Sequence, residues 1–169
     1  MTAGSALDIV VSGTESDSHT WNLVYLQLLL EDWGHRVENA GPCIGGADLV
    51  SRYAYRAPDL LVLSSVNGHG ESDGLRAVGA LRAAPELAGT PIVIGGKLGT
   101  RGVTAGDVHG GAGEVTRRLL SAGFSAVFLD PVDLGAFRDF VDSVAHDRDR
   151  GGRGVPAASR GVLATSPAP

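Results

Sequence analysis

Asp17 and His19 stand two residues apart in the segment GTESDSHTWN, residues 13–22. A neutral imidazole can give one ring nitrogen to a metal while the other donates to a carboxylate, which fixes the tautomer and raises the basicity of the ligand. Asp-x-His is therefore a plausible metal-ligand pair. One pair in one turn does not fill a zinc site, which wants about three or four ligands. His69 and His109 could join it only if their loops fold inward. A metal that brings most of its own ligands would need only one from the protein. On the motif alone the simpler reading is that Asp17 or Ser18 caps the following helix and His19 is a surface residue.

Two other segments carry polar chemistry next to apolar runs. SSVNGHGESDG, residues 64–74, follows LLVL, and GGKLGTRG, residues 95–102, follows IVI. Ser64 and Ser65 alone need do no more than satisfy backbone groups at a strand end. Gly95 and Gly96 alone could be a tight turn. IGGKLGT invites a phosphate-loop reading, but Pro91 stands where the first glycine belongs and Leu98 where Ser or Thr should follow Lys97. Cys43 is the single cysteine. No base is placed near it by motif, so a packed or idle thiol is the plainer account.

The elements that must position these loops are legible from periodicity. Leu7–Ser12, Arg36–Ala40, Leu60–Ser65, Pro91–Gly95 and Ala126–Asp130 read as strands, the third and fourth apolar enough for burial on both faces. Between them, Leu23, Leu26, Leu30 and Trp33 recur at helical spacing before Gly34. Further helices are expected over 46–57, 72–84, 112–122 and 133–145, the last with Leu134, Phe137, Val141 and Val144 inward. This alternation argues for a doubly wound parallel sheet, flavodoxin-like, in the order 2-1-3-4-5, with helices on both faces. Ligands then bind at the carboxyl ends of the strands, where loops 13–22, 64–74 and 95–102 converge.

The chain has 169 residues and a net charge of −5. Residues 147–169 hold four Arg and two Asp, which leaves −7 on the rest, ten basic against seventeen acidic residues. An acidic body argues against nucleic acid as a partner, since phosphate binding needs clustered Lys and Arg. No apolar run approaches the ~20 residues of a membrane span, and no signal peptide is evident, so the cytoplasm is the expected compartment. The expected organisation is one domain over 1–146 and a Gly/Pro/Arg-rich disordered tail over 147–169.

Taken together, the three loops resemble the cobalamin-binding domains, whose pattern is Asp-x-His-x-x-Gly, Ser-x-Leu and Gly-Gly after the first, third and fourth strands. The matching residues are Asp17, His19 and Asn22, then Ser64 and Val66, then Gly95 and Gly96. Asn22 and Val66 depart from the pattern's Gly and Leu. The flanking SSVNGHGE and the chain length resemble most the small coenzyme-binding subunits of glutamate (methylaspartate) mutases, over roughly residues 6–145.

That resemblance implies an isomerase component that binds adenosylcobalamin. His19 would be the lower axial ligand to cobalt, with Asp17 bonded to its other nitrogen. The displaced nucleotide tail would enter a slot between the sheet and the first helix. Ser64 would bond its base, Val66 would pack on it, and Gly95 and Gly96 would leave it room. The cofactor-binding set expected is Ser16, Asp17, Ser18, His19, Thr20, Asn22, Ser64, Ser65, Val66, Asn67, Gly68, Gly95, Gly96 and Lys97. The implied reaction is the radical rearrangement of L-glutamate to threo-3-methylaspartate, with the substrate on a separate barrel subunit and a heterotetramer as the assembly. No acid–base residue of this chain is required. The alternatives are a corrinoid carrier or sensor, the small subunit of an acyl-CoA mutase, or a flavodoxin-like module without cobalamin.

Overall fold

Strands and helices alternate along the computed structural model, which describes residues 5–99 and 111–151. In chain order they are β1 Asp8–Gly13, α1 Trp21–Asp32, β2 Arg36–Gly41, α2 Gly46–Tyr53, β3 Leu60–Ser65, α3 Gly70–Ala83, β4 Ile92–Gly96, α4 Gly111–Ala122, β5 Ala126–Leu129 and α5 Leu134–Asp149. The five strands form one parallel sheet in the order β2-β1-β3-β4-β5. This is the flavodoxin-like α/β fold expected from the sequence.

The sheet is buried because its central strands are apolar on both faces. Ile9, Val11, Leu60, Val62 and Val93 pack on one side against Leu23 and Leu30 of α1 and Phe137, Val141 and Val144 of α5. Val10, Leu61, Leu63, Ile92 and Ile94 pack on the other against α2, α3 and α4, through Leu49, Val78, Leu81 and Leu119. The alternation along each strand assigns each residue to its layer. β2 is an edge strand with a half-exposed pattern, and its register against β1 slips between Val11 and Ser12.

Two boundaries differ from expectation by more than two residues. α2 ends at Tyr53, short of Pro58, since Ala54 caps it and the chain then turns through Arg56 into Pro58. α5 runs to Asp149, so residues 147–149, expected in the tail, are helical. Contacts at the amino edge of the sheet hold that last turn. Arg148 donates to the carbonyl of Ala6 at 2.9 Å and to Asp59 at 2.7 Å, and the Ser5 amide and hydroxyl donate to the Asp149 carboxylate. Leu134, expected inward, is exposed. It opens α5 at the rim of a cavity described below. Among the described residues, no helix is long and apolar enough to cross a membrane.

Candidate functional site

Parallel pairing lines up the carboxyl ends of the strands. Gly13 sits beside Ser64, Ser64 beside Gly95, and Ser65 beside Gly96. The loops that leave these residues therefore start side by side.

Asp17 ties the first loop to the third strand's loop. It is 1% exposed and accepts four hydrogen bonds. Oδ1 takes the His19 backbone N–H at 3.0 Å and the His19 ring Nδ1 at 2.7 Å. Oδ2 takes the backbone N–H of Val66 at 2.6 Å and of Asn67 at 3.3 Å. Burial by itself would raise the Asp17 pKa, but the amide bonds from Val66 and His19 and the His19 ring outweigh it, and the carboxyl is held below its ordinary value. Asp17 is thus a buried carboxylate at neutral pH. It does not cap α1, whose N-cap is Thr20 with no side-chain capping bond. The carboxylate instead orients an imidazole whose side chain is 49% exposed. A neutral ring that donates from Nδ1 keeps its lone pair on Nε2.

A second carboxylate supports this loop and was not anticipated. Asp73, 3% exposed in the first turn of α3, accepts from the Ser16 amide at 2.9 Å and the Ser16 hydroxyl at 2.6 Å. Arg76 reaches Asp73 at 2.6 Å and Glu15 at 3.2 Å. Burial would raise the Asp73 pKa, yet the Ser16 bonds and the Arg76 charge leave it lowered. Asn67 completes the clasp, its amide donating to the Ser16 carbonyl at 2.9 Å. The ESDG run marks only a helix start. Nothing local in it signals a partner fifty-seven residues upstream.

Beside this clasp lies a cavity of about 210 Å³ between α1, the ends of β3 and β4, and the start of α5. Among the expected residues, Asn22, Ser64, Val66, Gly95 and Gly96 line it. Trp21, Tyr25, Phe128, Asp130 and Phe137 also line it and were not anticipated, since their contacts are tertiary. The Asn22 side-chain nitrogen donates to Ser64 Oγ at 2.8 Å, and the Asn22 Oδ1 is buried with no partner. Gly96 is glycine for backbone reasons. Its φ is +103°, and a Cβ there would stand 2.2 Å from the carbonyl oxygen of Ser65.

The remaining expected residues do not line the cavity. Ser16, Ser18, Thr20 and Lys97 are exposed. Ser65 bonds Asn67, and Gly68 holds a positive φ of 86° in the turn before α3. His69 is the exposed N-cap residue of α3, its backbone N–H donating to Asn67 Oδ1 at 2.9 Å, and His109 lies outside the described residues. Cys43 donates its amide to the Asp17 carbonyl at 3.0 Å. No group of three His, Cys, Asp or Glu side chains that could hold a metal ion occurs among the described residues.

No protein-family profile and no curated protein matches the sequence. Solved structures do match in fold. A signal receiver domain of a signal transduction histidine kinase from Syntrophus aciditrophicus is 17% identical with a TM-score of 0.60, over 95% of this chain and 100% of that one. The receiver domain of a sensor histidine kinase from Pseudomonas aeruginosa, with a magnesium ion coordinated in its active site cleft, is 16% identical with a TM-score of 0.57, over 84% and 99%. A cobalamin-binding protein from Desulfitobacterium hafniense is 19% identical with a TM-score of 0.57, over 73% of this chain and 53% of that one. At these identities the likeness is one of fold.

These findings overturn the assignment to the glutamate mutase subunits, and the isomerase activity inferred from it. Similar solved structures are mostly response-regulator receiver domains, and nothing at the level of sequence supports the mutase. The physical reason lies in the motif. Gly96 answers a backbone demand, Ser64 is held by Asn22, and the three loops meet at one edge in any sheet of this order. The order and spacing of the elements therefore describe the fold, which many functions share.

Proposed function

We propose that this chain is a non-catalytic binding module that takes a cobalt corrinoid, with His19 as the protein ligand to the metal. The observation that carries the reading is the 2.7 Å bond from His19 Nδ1 to a buried, ionised Asp17. That bond orients the ring and leaves Nε2 to ligate. The neighbouring cavity fits the group as well. It is apolar, and it holds a buried amide oxygen that needs a partner. A corrinoid would bring most of its own metal ligands and would need one from the protein, which His19 would supply. That matches a site with one histidine and no three-ligand cluster among the described residues. One solved structure of similar fold is described as a cobalamin-binding protein. Adenosylcobalamin is the form expected from the sequence, and a separate barrel protein is the partner expected there.

The test is the visible spectrum of the purified chain with adenosylcobalamin, and the EPR spectrum after reduction to cobalt(II). Nitrogen splitting that disappears in His19→Ala is the expected result. Uptake with splitting unchanged in His19→Ala would end the assignment. The second reading is a signalling module, favoured by the receiver domains among the similar structures. Magnesium binding by calorimetry, without corrinoid uptake, would favour it. Against it, β3 ends in Ser64 and Ser65, neither of which offers a carboxylate to a magnesium ion.

A further inference from the structure

The polar floor of the cavity points to a particular ring. Asn22 is 6% exposed and Ser64 is 6% exposed. They bond to each other at 2.8 Å and leave the Asn22 Oδ1 buried and unpartnered. A buried acceptor of this kind is rare and unfavourable unless a partner arrives. The conclusion does not depend on which way the amide is turned. As placed, the pair shows the cavity an amide oxygen and a hydroxyl hydrogen. Turned over, it shows an amide hydrogen and a hydroxyl lone pair. Either way it presents one donor and one acceptor side by side.

The walls are apolar and partly aromatic. Val62, Val93, Phe128 and Phe137 face the cavity, while Trp21 and Tyr25 stand at its α1 side. At about 210 Å³ it is smaller than the ~300–1,000 Å³ of pockets for drug-sized ligands. It holds a ring system rather than a whole cofactor. No Lys, Arg or His lines it, and Asp130 does. An anionic phosphate is thus disfavoured inside it, and a ligand N–H is favoured.

We infer that the cavity binds an amino-substituted heteroaromatic ring, of which adenine is the type, with Asn22 and Ser64 reading its paired donor and acceptor. In one respect this rests on the proposed function: the ring would be the tail base of the corrinoid. The same chemistry could come from a free adenine nucleoside. A dimethylbenzimidazole tail offers an acceptor and no donor, so it leaves one member of the Asn22–Ser64 pair unmatched. Asn22, which departs from the glycine of the resembling pattern, is then a specificity residue.

The experiment measures binding to the full chain by calorimetry and by quenching of Trp21 fluorescence. Three ligands are compared: a corrinoid with an adenine tail, cobalamin with its dimethylbenzimidazole tail, and adenosine alone. The adenine-tailed corrinoid is expected to bind at least about tenfold more tightly than cobalamin, which corresponds to ~1.4 kcal/mol. Asn22→Leu, of similar size and without polar atoms, is expected to erase or reverse that preference. Ser64→Ala serves the same purpose should Asn22→Leu fail to fold by circular dichroism. If cobalamin binds as tightly as the adenine form while His19 still ligates, the inference is overturned and the corrinoid reading stands. If no corrinoid ligates His19 but adenosine binds in an Asn22-dependent way, the inference holds and the corrinoid reading falls. If none of the three binds, both fall.

Discussion

Asp17 Oδ1 lies 2.7 Å from His19 Nδ1. The first residue is buried and the second is half exposed. The carboxylate is fixed from below by the amides of Val66 and Asn67, so the imidazole is held by a group that is itself held. Removing the ring and removing the carboxylate should therefore have unequal effects on stability and similar effects on ligation.

His19→Ala removes an exposed side chain and should change unfolding free energy by less than about 0.5 kcal/mol. Asp17→Ala strips partners from two part-buried loop amides and should destabilise by about 1–3 kcal/mol. Urea denaturation of the two variants checks this. Equal midpoints would mean that Asp17 does not clamp the loop.

The same carboxylate gives a pH dependence. Asp17 and Asp73 both have folded-state pKa values below the ordinary 3.8. The unfolded chain then binds protons more readily near pH 4, so the stabilisation is complete above that range and is lost as pH falls through the lower folded values. Thermal melts at pH 7 and pH 3 should differ less for Asp17→Asn than for the native chain. An unchanged difference would show that Asp17 contributes nothing to acid lability.

Gly96→Ala should be among the most harmful single-methyl changes in the chain. A positive φ of +103° disfavours any side chain by about 1–3 kcal/mol, and the added carbon would meet the Ser65 carbonyl oxygen. A neutral effect on the denaturation midpoint would contradict the close approach of β4 to β3 at that point.

Tyr53 donates to Glu38 at 2.8 Å, and burial and that bond push its pKa up to about 12. Its raised value means that its contribution is present below the unfolded phenol's pKa near 10 and is lost as pH rises through the folded value. In an ultraviolet titration the step near 12 should vanish in Tyr53→Phe. Persistence of that step would assign it to another phenol.

The sheet was legible because its strands carry a strong signal. LLVLSS and IVI are apolar on both faces, which only a covered parallel sheet tolerates, and β3 is buried throughout. The edge of the sheet that bears the loops followed from the topology. The Asp17–His19 bond joins residues two apart, so the spacing showed that it could form, but the spacing alone favoured a helix cap and a surface histidine, and the bond was expected only through the resemblance. Asp73 and the aromatic cavity walls were not legible, since their meaning depends on chain segments dozens of residues away. Leu134 obeys helical spacing yet is exposed, because the periodicity of α5 begins before its packing does. The family assignment failed for a different reason. Glycines and serines at strand ends satisfy the backbone first, and their types alone do not reveal whether a ligand adds a second demand.

Ser5 and Asp149 hydrogen-bond to each other at the sheet edge opposite the loops. The molecule therefore has a handle and a working edge on opposite sides. A tether or a pulling force applied at either residue would load the entry to β1 and the last turn of α5 as a single anchor point. The Asp17 clasp and the cavity would remain facing away from the attachment, open to a ligand even with the protein fixed to a surface.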